Sequence, residues 1–518
     1  MSSPPHAHET ALLPRGALAA APLVFALQCF AFQGVRRDDA FITYRYAQNL
    51  VEGHGLVFNL GDKLMGSTSP GHVLLSALGY ALVGRDALPS LMSALGCLGW
   101  TAQALAFAVL LRHALAPVAV WLVALAVAAG AARAAEFVSL ETNIVAALLF
   151  WAFALAVERR WTGAAALAAL AGLFRPDMYL PAAMLAAVCV YDLRARALRP
   201  ALLFAAITAP WYLFAAAYFG TVLPQSASAK YQRTALLEYA VFEFKLPGSL
   251  ALPFGNDALL HLCAWLLAAA GAVYVARKER LWILPLYAVL HYAAYLYLRP
   301  YMHHWHLYPA NAIMVVLALV AVASGLGYAV RSPRLMRACS AAVAVLVVAY
   351  AYHCVQFART HDNAFWFGAR DRVYRQVSRY LLTHARASDV VGSVEVGTVG
   401  YYTGLPMYDW GAIVTPNPEH RPQRPRLAWS VVDHLFIDRL ATGLHPTREF
   451  RSGGFIVSVH SFDLMRAAAE RVIAAGAVTR AADLHGSKRN EFERELDRLA
   501  RALEQSGKPI DTFLRELR

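Results

Sequence analysis

Two adjacent carboxylates are the groups in this sequence best placed to do chemistry. Asp38 and Asp39 follow an apolar run directly and open a plausible helix, AFITYRYAQNLVEG. One carboxylate could deprotonate an acceptor hydroxyl while the other orients that hydroxyl or helps to hold a divalent cation. Close like charges also raise the pKa of one carboxyl group, which suits a base. The alternative is structural, because an acidic residue at a helix start caps the helix and favours its dipole.

The basic residues that could accompany these carboxylates lie at the ends of other apolar runs. Arg175 lies in an RPD turn, and Lys230 follows the segment LPQSASA. Three histidines cluster in the segment YMHHWH: His303, His304 and His306. Basic side chains that converge on one cavity would bind a phosphate group, whereas isolated charges at span ends often only extend toward the lipid headgroups. The histidines could instead bind zinc, but three nearly consecutive histidines cannot all point inward from one helix.

The elements that must position these residues are membrane spans. Of the 518 residues, 58% are hydrophobic and 16% are charged, whereas a soluble domain carries about 25% charged residues. The apolar runs end near residue 356, and the rest reads as a water-soluble chain. We therefore predict a membrane domain at 1–356, with its first outer loop at 35–87, and a soluble extracytoplasmic domain at 357–518. The net charge of +13 lies mostly in short clusters between apolar runs, which indicates orientation bias and not nucleic-acid binding.

Eleven apolar runs approach the length of about 20 residues that a spanning helix needs. They lie near 17–34, 88–111, 116–133, 142–157, 162–174, 178–191, 200–219, 258–276, 281–298, 307–328 and 338–356. With the N-terminus in the cytoplasm, every inner loop carries Arg or Lys, as the positive-inside rule requires. The segment PGHVLLSALGYALVG (70–84) is too short to cross, and we expect it to lie along the outer interface. The carboxylates, Arg175 and the histidines then face outward.

The tail after the last span predicts a small α/β domain. DVVGSVEVGTVGYYTGLPMYDWGAIVT alternates short β-rich runs with Gly and Pro turns, and the stretch near 467–517 shows helical periodicity. It contains no metal cluster, nucleotide loop or nucleophile motif. We expect it to cap or support the outer cavity.

Several segments together resemble one known superfamily. RRDDAFITYRYAQNLVEGHGLVFNLGDKLMGSTSPGHVLLSAL is similar to the first outer loop of GT-C glycosyltransferases, most closely the bacterial arabinofuranosyltransferases that use a polyprenyl-phosphate sugar donor. Four later segments resemble family motifs in the same order, so that the similarity runs from about residue 36 to 415: EFVSLETNIVAALLF, FRPDMYL, GTVLPQSASAK and VGTVGYYTGLPMYDWGAIV. The resemblance implies a mostly α membrane protein, with a GT-C-type bundle of about 11 transmembrane helices, an outer interfacial-helix loop and a small C-terminal α/β domain.

The resemblance also implies roles for the outward residues. Asp38 and Asp39 take the place of an acidic pair of which one member is the catalytic base, and we expect Asp38 to be that base. The donor phosphate would be met by Arg175 and Lys230, with the three histidines as further candidates. Candidates for lining the substrate cavity are Arg45, Glu141 and Asp177. The sequence departs from the family pattern at Asp177, where Glu is usual, at Gln225 and Ser226 in place of Asn-Thr, and at LMGSTSPG in place of Glu-Gly-Tyr-Thr, so the sugar is left open.

The predicted function is transfer of a sugar from a polyprenyl-phosphate donor to a hydroxyl of a cell-envelope glycan or lipid, on the outer face of the cytoplasmic membrane. The expected partners are the donor lipid, the acceptor and membrane lipids, with no nucleic acid. A divalent cation, Mg²⁺, Mn²⁺ or Ca²⁺, held by Asp38 and Asp39 is the one cofactor considered. The main alternative is a transporter or flippase of a polar lipid or sugar, although transporters usually place ionisable residues inside their spans. A non-catalytic membrane assembly factor is a further alternative.

Overall fold

The computed structural model shows a mostly helical chain with a small sheet near its C-terminus, as predicted. The residues it describes are 15–32, 34–129, 134–227, 258–278, 280–298, 304–329, scattered positions between 332 and 352, 368–415, 425–433, 446–452, 455–475 and 489–517.

The apolar runs of the sequence form helices. Within the described part, the helices up to residue 329 are α1 Arg15–Phe32, α2 Asp38–Val51, α3 Pro70–Leu111, α4 Pro117–Ala128, α5 Thr142–Val157, α6 Trp161–Phe174, α7 Tyr179–Leu193, α8 Leu198–Phe219, α9 Ala258–Ala276, α10 Ile283–Leu298 and α11 His304–Ala329. Ten of the eleven predicted spans coincide with one of these helices. The eleventh, near 338–356, lies largely outside the described residues.

Three helical stretches in the described residues are long and apolar enough to cross a membrane. They are Pro70–Leu111, Pro176–Phe219 and Trp305–Leu326. The remaining apolar helices are shorter than the usual span length, so the predicted number of about eleven crossings stays a prediction.

Helix α3 is broken at Gly84, whose backbone has φ 75° and ψ −179°. Only glycine adopts this region without strain, because it lacks a Cβ. The break separates the 70–83 segment from the apolar run that begins near residue 88. The sequence predicted a division at this place, between an interfacial segment and a span.

The chain divides into two compact units. One contains residues 1–33, 92–213 and 233–359, and the other contains 34–91, 214–232 and 360–518. The second unit therefore groups the first outer loop with the C-terminal segment. The two predicted domains, by contrast, were divided by position along the chain.

Helices of the first unit approach one another closely through glycines. A Cβ at Gly271 of α9 would lie 1.9 Å from the backbone oxygen of Leu317 in α11, and a Cβ at Gly96 would lie 1.9 Å from that of Val138. Small residues allow this backbone approach, as is usual where membrane helices pack. At these two places in the unit, the backbones thus lie in close contact.

The second unit contains a five-stranded mixed sheet. Its strands are β1 Val391–Ser393, β2 Met407–Asp409, β3 Trp429–Asp433, β4 Arg448–Ser452 and β5 Phe455–Ser461, in the order β2-β1-β3-β5-β4. β1 pairs in parallel with β2 and β3, and β5 pairs antiparallel with β3 and β4. Helices described in this segment are α12 Gly368–His384, α13 Gly397–Thr403, α14 Phe462–Ala474, α15 Arg489–Ser506 and α16 Ile510–Leu517.

Candidate active site

Asp38 is buried, and its carboxylate binds the first amides of α13. Helix α2 has no side-chain capping hydrogen bond of its own. Instead, Oδ2 of Asp38 accepts the N–H of Gly397 at 2.7 Å, and Oδ1 accepts the N–H of Thr398 at 2.7 Å. The first amides of a helix have no partner within it, so Asp38 satisfies two of them. Burial raises the pKa of Asp38, and the Thr398 hydrogen bonds and the charge of Arg370 oppose that rise.

Arg45 lies two turns further along α2 and binds the other end of α13. Its Nε donates to the carbonyl of Phe58 at 2.7 Å. Its two Nη atoms donate to the carbonyls of Gly400, Gly404 and Leu405, the last at 2.9 Å. Burial lowers the pKa of Arg45 to about 9, so the guanidinium is still charged at neutral pH.

The two side chains therefore hold both ends of one short helix, and we name them the Asp38–Arg45 clamp. A negative group at the N-terminus and a positive group at the C-terminus of a helix both favour its dipole. Arg45 was a candidate for the substrate cavity. It is 3% exposed and the bonds described for it run to backbone carbonyls, so we assign it a structural role.

Two glycines of α13 allow the clamp to close. A Cβ at Gly397 would lie 2.0 Å from the backbone oxygen of Asp38. A Cβ at Gly400 would lie 2.8 Å from Nη1 of Arg45 and 2.9 Å from the ring of Phe58. The GTVG spacing in the sequence thus reflects direct contact between α13 and α2.

Asp39 differs from Asp38 in its contacts. It follows Asp38 on α2, so its side chain points about 100° further round the helix. It is half-buried, and within the described part of the chain no hydrogen bond or ion pair engages its carboxylate. The structure thus distinguishes the two adjacent carboxylates, since only that of Asp38 binds the protein's own backbone.

Arg175, which belongs to the first unit, is also buried and paired. Its guanidinium makes two hydrogen bonds to Asp177, the one from Nε at 3.1 Å. It also donates to the backbone carbonyls of Trp305 at 2.7 Å and His306 at 3.3 Å. Burial by itself would lower the pKa of Arg175, but the carboxylate of Asp177, with Tyr295 and Glu141, raises it. Arg175 therefore joins the RPD turn to the start of α11.

Comparisons with known proteins identify the fold. No protein-family profile matches the chain, and no curated protein matches it by sequence. Among solved structures, ArnT from Cupriavidus metallidurans in the apo state superposes with a TM-score of 0.56 at 15% identity, over 86% of this chain and 97% of that one. Its complex with undecaprenyl phosphate gives 0.54 at the same identity and coverage. The Archaeoglobus fulgidus oligosaccharyltransferase with Zn and sulfate gives 0.53 at 13% identity, over 82% of this chain and 68% of that one.

Both neighbours are members of the GT-C superfamily. The chain has the GT-C fold. The resemblance predicted from the first outer loop and the later motifs is thereby confirmed at the level of the fold.

Of the other predicted phosphate ligands, some lie outside the described residues and one is near Arg175. Lys230 and His303 lie outside the described residues, and only the backbone of His304 is described. His306 is half-buried, and its carbonyl accepts hydrogen bonds from Arg175 and from the ring of His291. The structure thus brings His306 and Arg175 together, but through the backbone of the histidine.

Glu141 and Asp177, the remaining candidates for the substrate cavity, both belong to the first unit. Glu141 occupies the N-cap position of α5 without a capping hydrogen bond from its side chain. It lies close enough to Arg175 to raise the pKa of that guanidinium. Asp177 accepts the hydroxyl of Tyr295 at 3.0 Å in addition to its two bonds from Arg175. Asp177 thus serves the turn, and a role in the cavity stays a prediction for both residues.

The two aspartates do not fit a divalent cation well. A Mg²⁺ or Ca²⁺ ion prefers several oxygen ligands with free lone pairs, but both oxygens of Asp38 already accept backbone amides. Across the described residues, no group of three or more His, Cys, Asp or Glu side chains could hold a metal ion. We therefore assign no catalytic role to a divalent cation at Asp38 and Asp39.

Sequence reasoning missed the clamp and its glycines. The spacing of Asp38 and Arg45, seven residues apart, places them on one helix face and was a usable signal. The helix that these two side chains bind could not be predicted from spacing, because it begins 359 residues after Asp38. A basic cluster around Asp371 was also missed.

Proposed function

We propose that this protein is a glycosyltransferase that moves a sugar from a polyprenyl-phosphate donor to a hydroxyl acceptor, with Asp39 as the catalytic base. The observation that carries the proposal is the difference between the two carboxylates at the start of α2. Asp38 holds α13, and Asp39 beside it makes no described contact. We therefore assign the role of catalytic base to Asp39, and Asp38 is a positioning residue that holds α13.

The donor class is supported by the fold. ArnT, which shares the GT-C fold, has been solved with undecaprenyl phosphate. A sugar on a lipid phosphate already carries a good leaving group, so the enzyme needs a base for the acceptor and cations for the departing phosphate. The similarity of the first outer loop to arabinofuranosyltransferases makes polyprenyl-phosphate arabinofuranose the first donor to test. By the positive-inside rule, transfer takes place on the outer face of the cytoplasmic membrane.

A transfer assay with paired variants tests the proposal. Purified protein in nanodiscs would receive radiolabelled polyprenyl-phosphate sugars and membrane acceptors. We expect Asp39→Asn to lower the rate of transfer about 10²- to 10⁴-fold, the usual contribution of general-base catalysis. Its apparent melting temperature should fall by no more than about 4 °C, because the lost carboxylate has no described partner and gives up only its interaction with the dipole of α2, about 0.3–1 kcal/mol. Asp62→Asn, which removes the same charge from the same loop, is the matched control and should transfer normally.

Two outcomes would overturn the proposal. Undiminished transfer by the Asp39→Asn variant would show that Asp39 is not the base. Movement of a labelled lipid across the bilayer, with no lipid-linked sugar consumed, would replace the enzyme by a flippase.

A further inference from the structure

A group of arginines in the second unit surrounds one buried carboxylate. Nε of Arg375 in α12 donates to Oδ2 of Asp371 at 2.9 Å. Nη1 of Arg36 lies 3.7 Å from the same oxygen, and its Nη2 donates to the hydroxyl of Ser90 at 2.8 Å. The guanidinium of Arg375 also lies over the ring of Tyr402, 4.7 Å from its centroid.

A third arginine completes the group from α3. Nη2 of Arg85 donates to the carbonyls of Tyr401, at 3.0 Å, and Tyr402. Its guanidinium lies 5.7 Å from the centroid of the Tyr402 ring. We name Arg36, Arg85 and Arg375, with Asp371 and Tyr402, the arginine cluster.

The charges of the arginine cluster do not balance. Among the described residues of the cluster, three guanidiniums accompany one carboxylate: Arg36 and Arg375 act on Asp371 itself, and Arg85 lies over the ring of Tyr402. A second carboxylate that acts on Tyr402, Asp86, is exposed. Burial raises the pKa of Asp371 in spite of Arg375 and Arg36 beside it. The guanidiniums of Arg36 and Arg375 are only partly exposed, and partly buried positive charge in excess of its counter-charge is unfavourable, so this group is suited to receive an anion.

Several polar atoms of the arginine cluster also have no hydrogen-bond partner among the residues that the structure describes. They are buried and unpaired: Nε of Arg36, Nε of Arg85, Nη2 of Arg375, Oδ1 of Asp371 and the hydroxyl of Tyr402. Buried polar groups in proteins are nearly always hydrogen-bonded. Four of these five atoms carry hydrogens to donate, and phosphate oxygens accept such hydrogens strongly.

The cluster also lies where the chain leaves its apolar segments. Arg36 follows the end of α1 by four residues, Arg85 adjoins the break of α3 at Gly84, and α12 begins shortly after the last predicted span. The cluster contacts the end of α2 where Asp39 lies, because the ring centroids of Phe41 and Tyr402 are 5.7 Å apart. For basic residues that adjoin spans in the sequence, a lipid phosphate is the anion that we expect.

We propose that Arg36, Arg375 and Tyr402 bind the phosphate group of the polyprenyl carrier lipid. The inference rests on the proposed function, and it gives the donor phosphate a site that differs from Arg175 and Lys230. Guanidiniums suit this ligand because their planar donors match two phosphate oxygens at once. A bilayer phospholipid and free phosphate offer related chemistry, and the test separates them from the carrier.

The test measures binding, not transfer. Full-length protein in phosphatidylcholine nanodiscs would be titrated with undecaprenyl phosphate, with phosphatidylglycerol and inorganic phosphate in parallel titrations. We expect Arg36→Gln and Arg375→Gln each to weaken binding of undecaprenyl phosphate about tenfold or more, as for the loss of a charged hydrogen bond. Arg379→Gln removes the same charge one turn further along α12, where the side chain is exposed, and should bind normally.

The Tyr402→Phe variant distinguishes a loss of binding from a loss of folding. It removes a hydroxyl that has no hydrogen-bond partner among the described residues, so the melting temperature should hold or rise, while binding weakens about two- to tenfold. A purely structural role for the cluster would leave binding by this variant unchanged.

Three results would overturn the inference: unchanged affinity in all cluster variants, equal loss in Arg379→Gln, or binding of phosphatidylglycerol or inorganic phosphate as tight as that of undecaprenyl phosphate. Failure of the proposed function looks different. In that case the lipid binds through the cluster, but no sugar is transferred by the wild-type protein.

Discussion

Replacing Asp38 by asparagine tests whether this carboxylate acts on the protein or on the substrate. In the structure its two oxygens accept two amide N–H groups at 2.7 Å. An asparagine keeps one acceptor, but its NH₂ group faces an N–H donor, so one buried amide loses its partner. We therefore expect the Asp38→Asn variant to fold less stably.

The magnitude follows from the bonds lost. A hydrogen bond to a charged group contributes about 1.5–3 kcal/mol, and a charge at a helix N-terminus about 0.3–1 kcal/mol. We expect the free energy of unfolding of the second unit to fall by about 2–4 kcal/mol. For a unit of this size, each kcal/mol lowers the melting temperature by about 2–4 °C, so the shift should be roughly 4–16 °C.

The assay compares stability and transfer in the same preparations. Thermal unfolding and limited proteolysis of Asp38→Asn should report the loss of stability, with Asp39→Asn as the control that melts close to the wild type. Transfer by the folded fraction of Asp38→Asn should exceed that of Asp39→Asn. The reverse pattern, with Asp38→Asn stable but inactive and Asp39→Asn active, would refute the reasoning and restore Asp38 as the base.

Three further changes test the contacts around the clamp and the RPD turn. Gly397→Ala places a Cβ 2.0 Å from the backbone oxygen that it faces and should lower stability by about 1–3 kcal/mol, whereas Gly34→Ala, with no atom within 4 Å, should not alter the melting curve. Arg45→Lys keeps the charge but cannot reach four carbonyls, so the melting temperature should fall about as far as in Asp38→Asn; an unchanged value would contradict its capping role. Asp177→Asn removes the carboxylate that is hydrogen-bonded to the buried guanidinium of Arg175 and leaves only the charge of Glu141 near it, so it should cost up to about 3–5 kcal/mol in unfolding measurements; a double variant with Arg175→Gln should regain part of that loss, and no recovery would argue against the pairing.

The apolar helices and the division between the 70–84 segment and the span after it could be predicted from the sequence because their causes are local. Apolar runs of span length form helices wherever they occur, and a glycine at the end of such a run permits a break. The alternation of β-rich runs with turns in the tail likewise predicted the small sheet. The first outer loop, together with the weaker later motifs in the same order, was specific enough to indicate the GT-C fold.

The structural roles of the charged residues, by contrast, depend on partners that lie far away in the sequence. The sequence allowed Asp38 to cap a helix or to act as a base, and it suggested capping of the helix that Asp38 itself opens. The tertiary structure shows that Asp38 caps a helix 359 residues away, with Arg45 at the other end of that helix. Sequence alone determined which residue types stand at the start of α2. Only the tertiary structure decided that Asp38 binds backbone amides of α13 and that Asp39 has no such partner among the described residues, because a carboxylate's role depends on the donors that the fold brings to it.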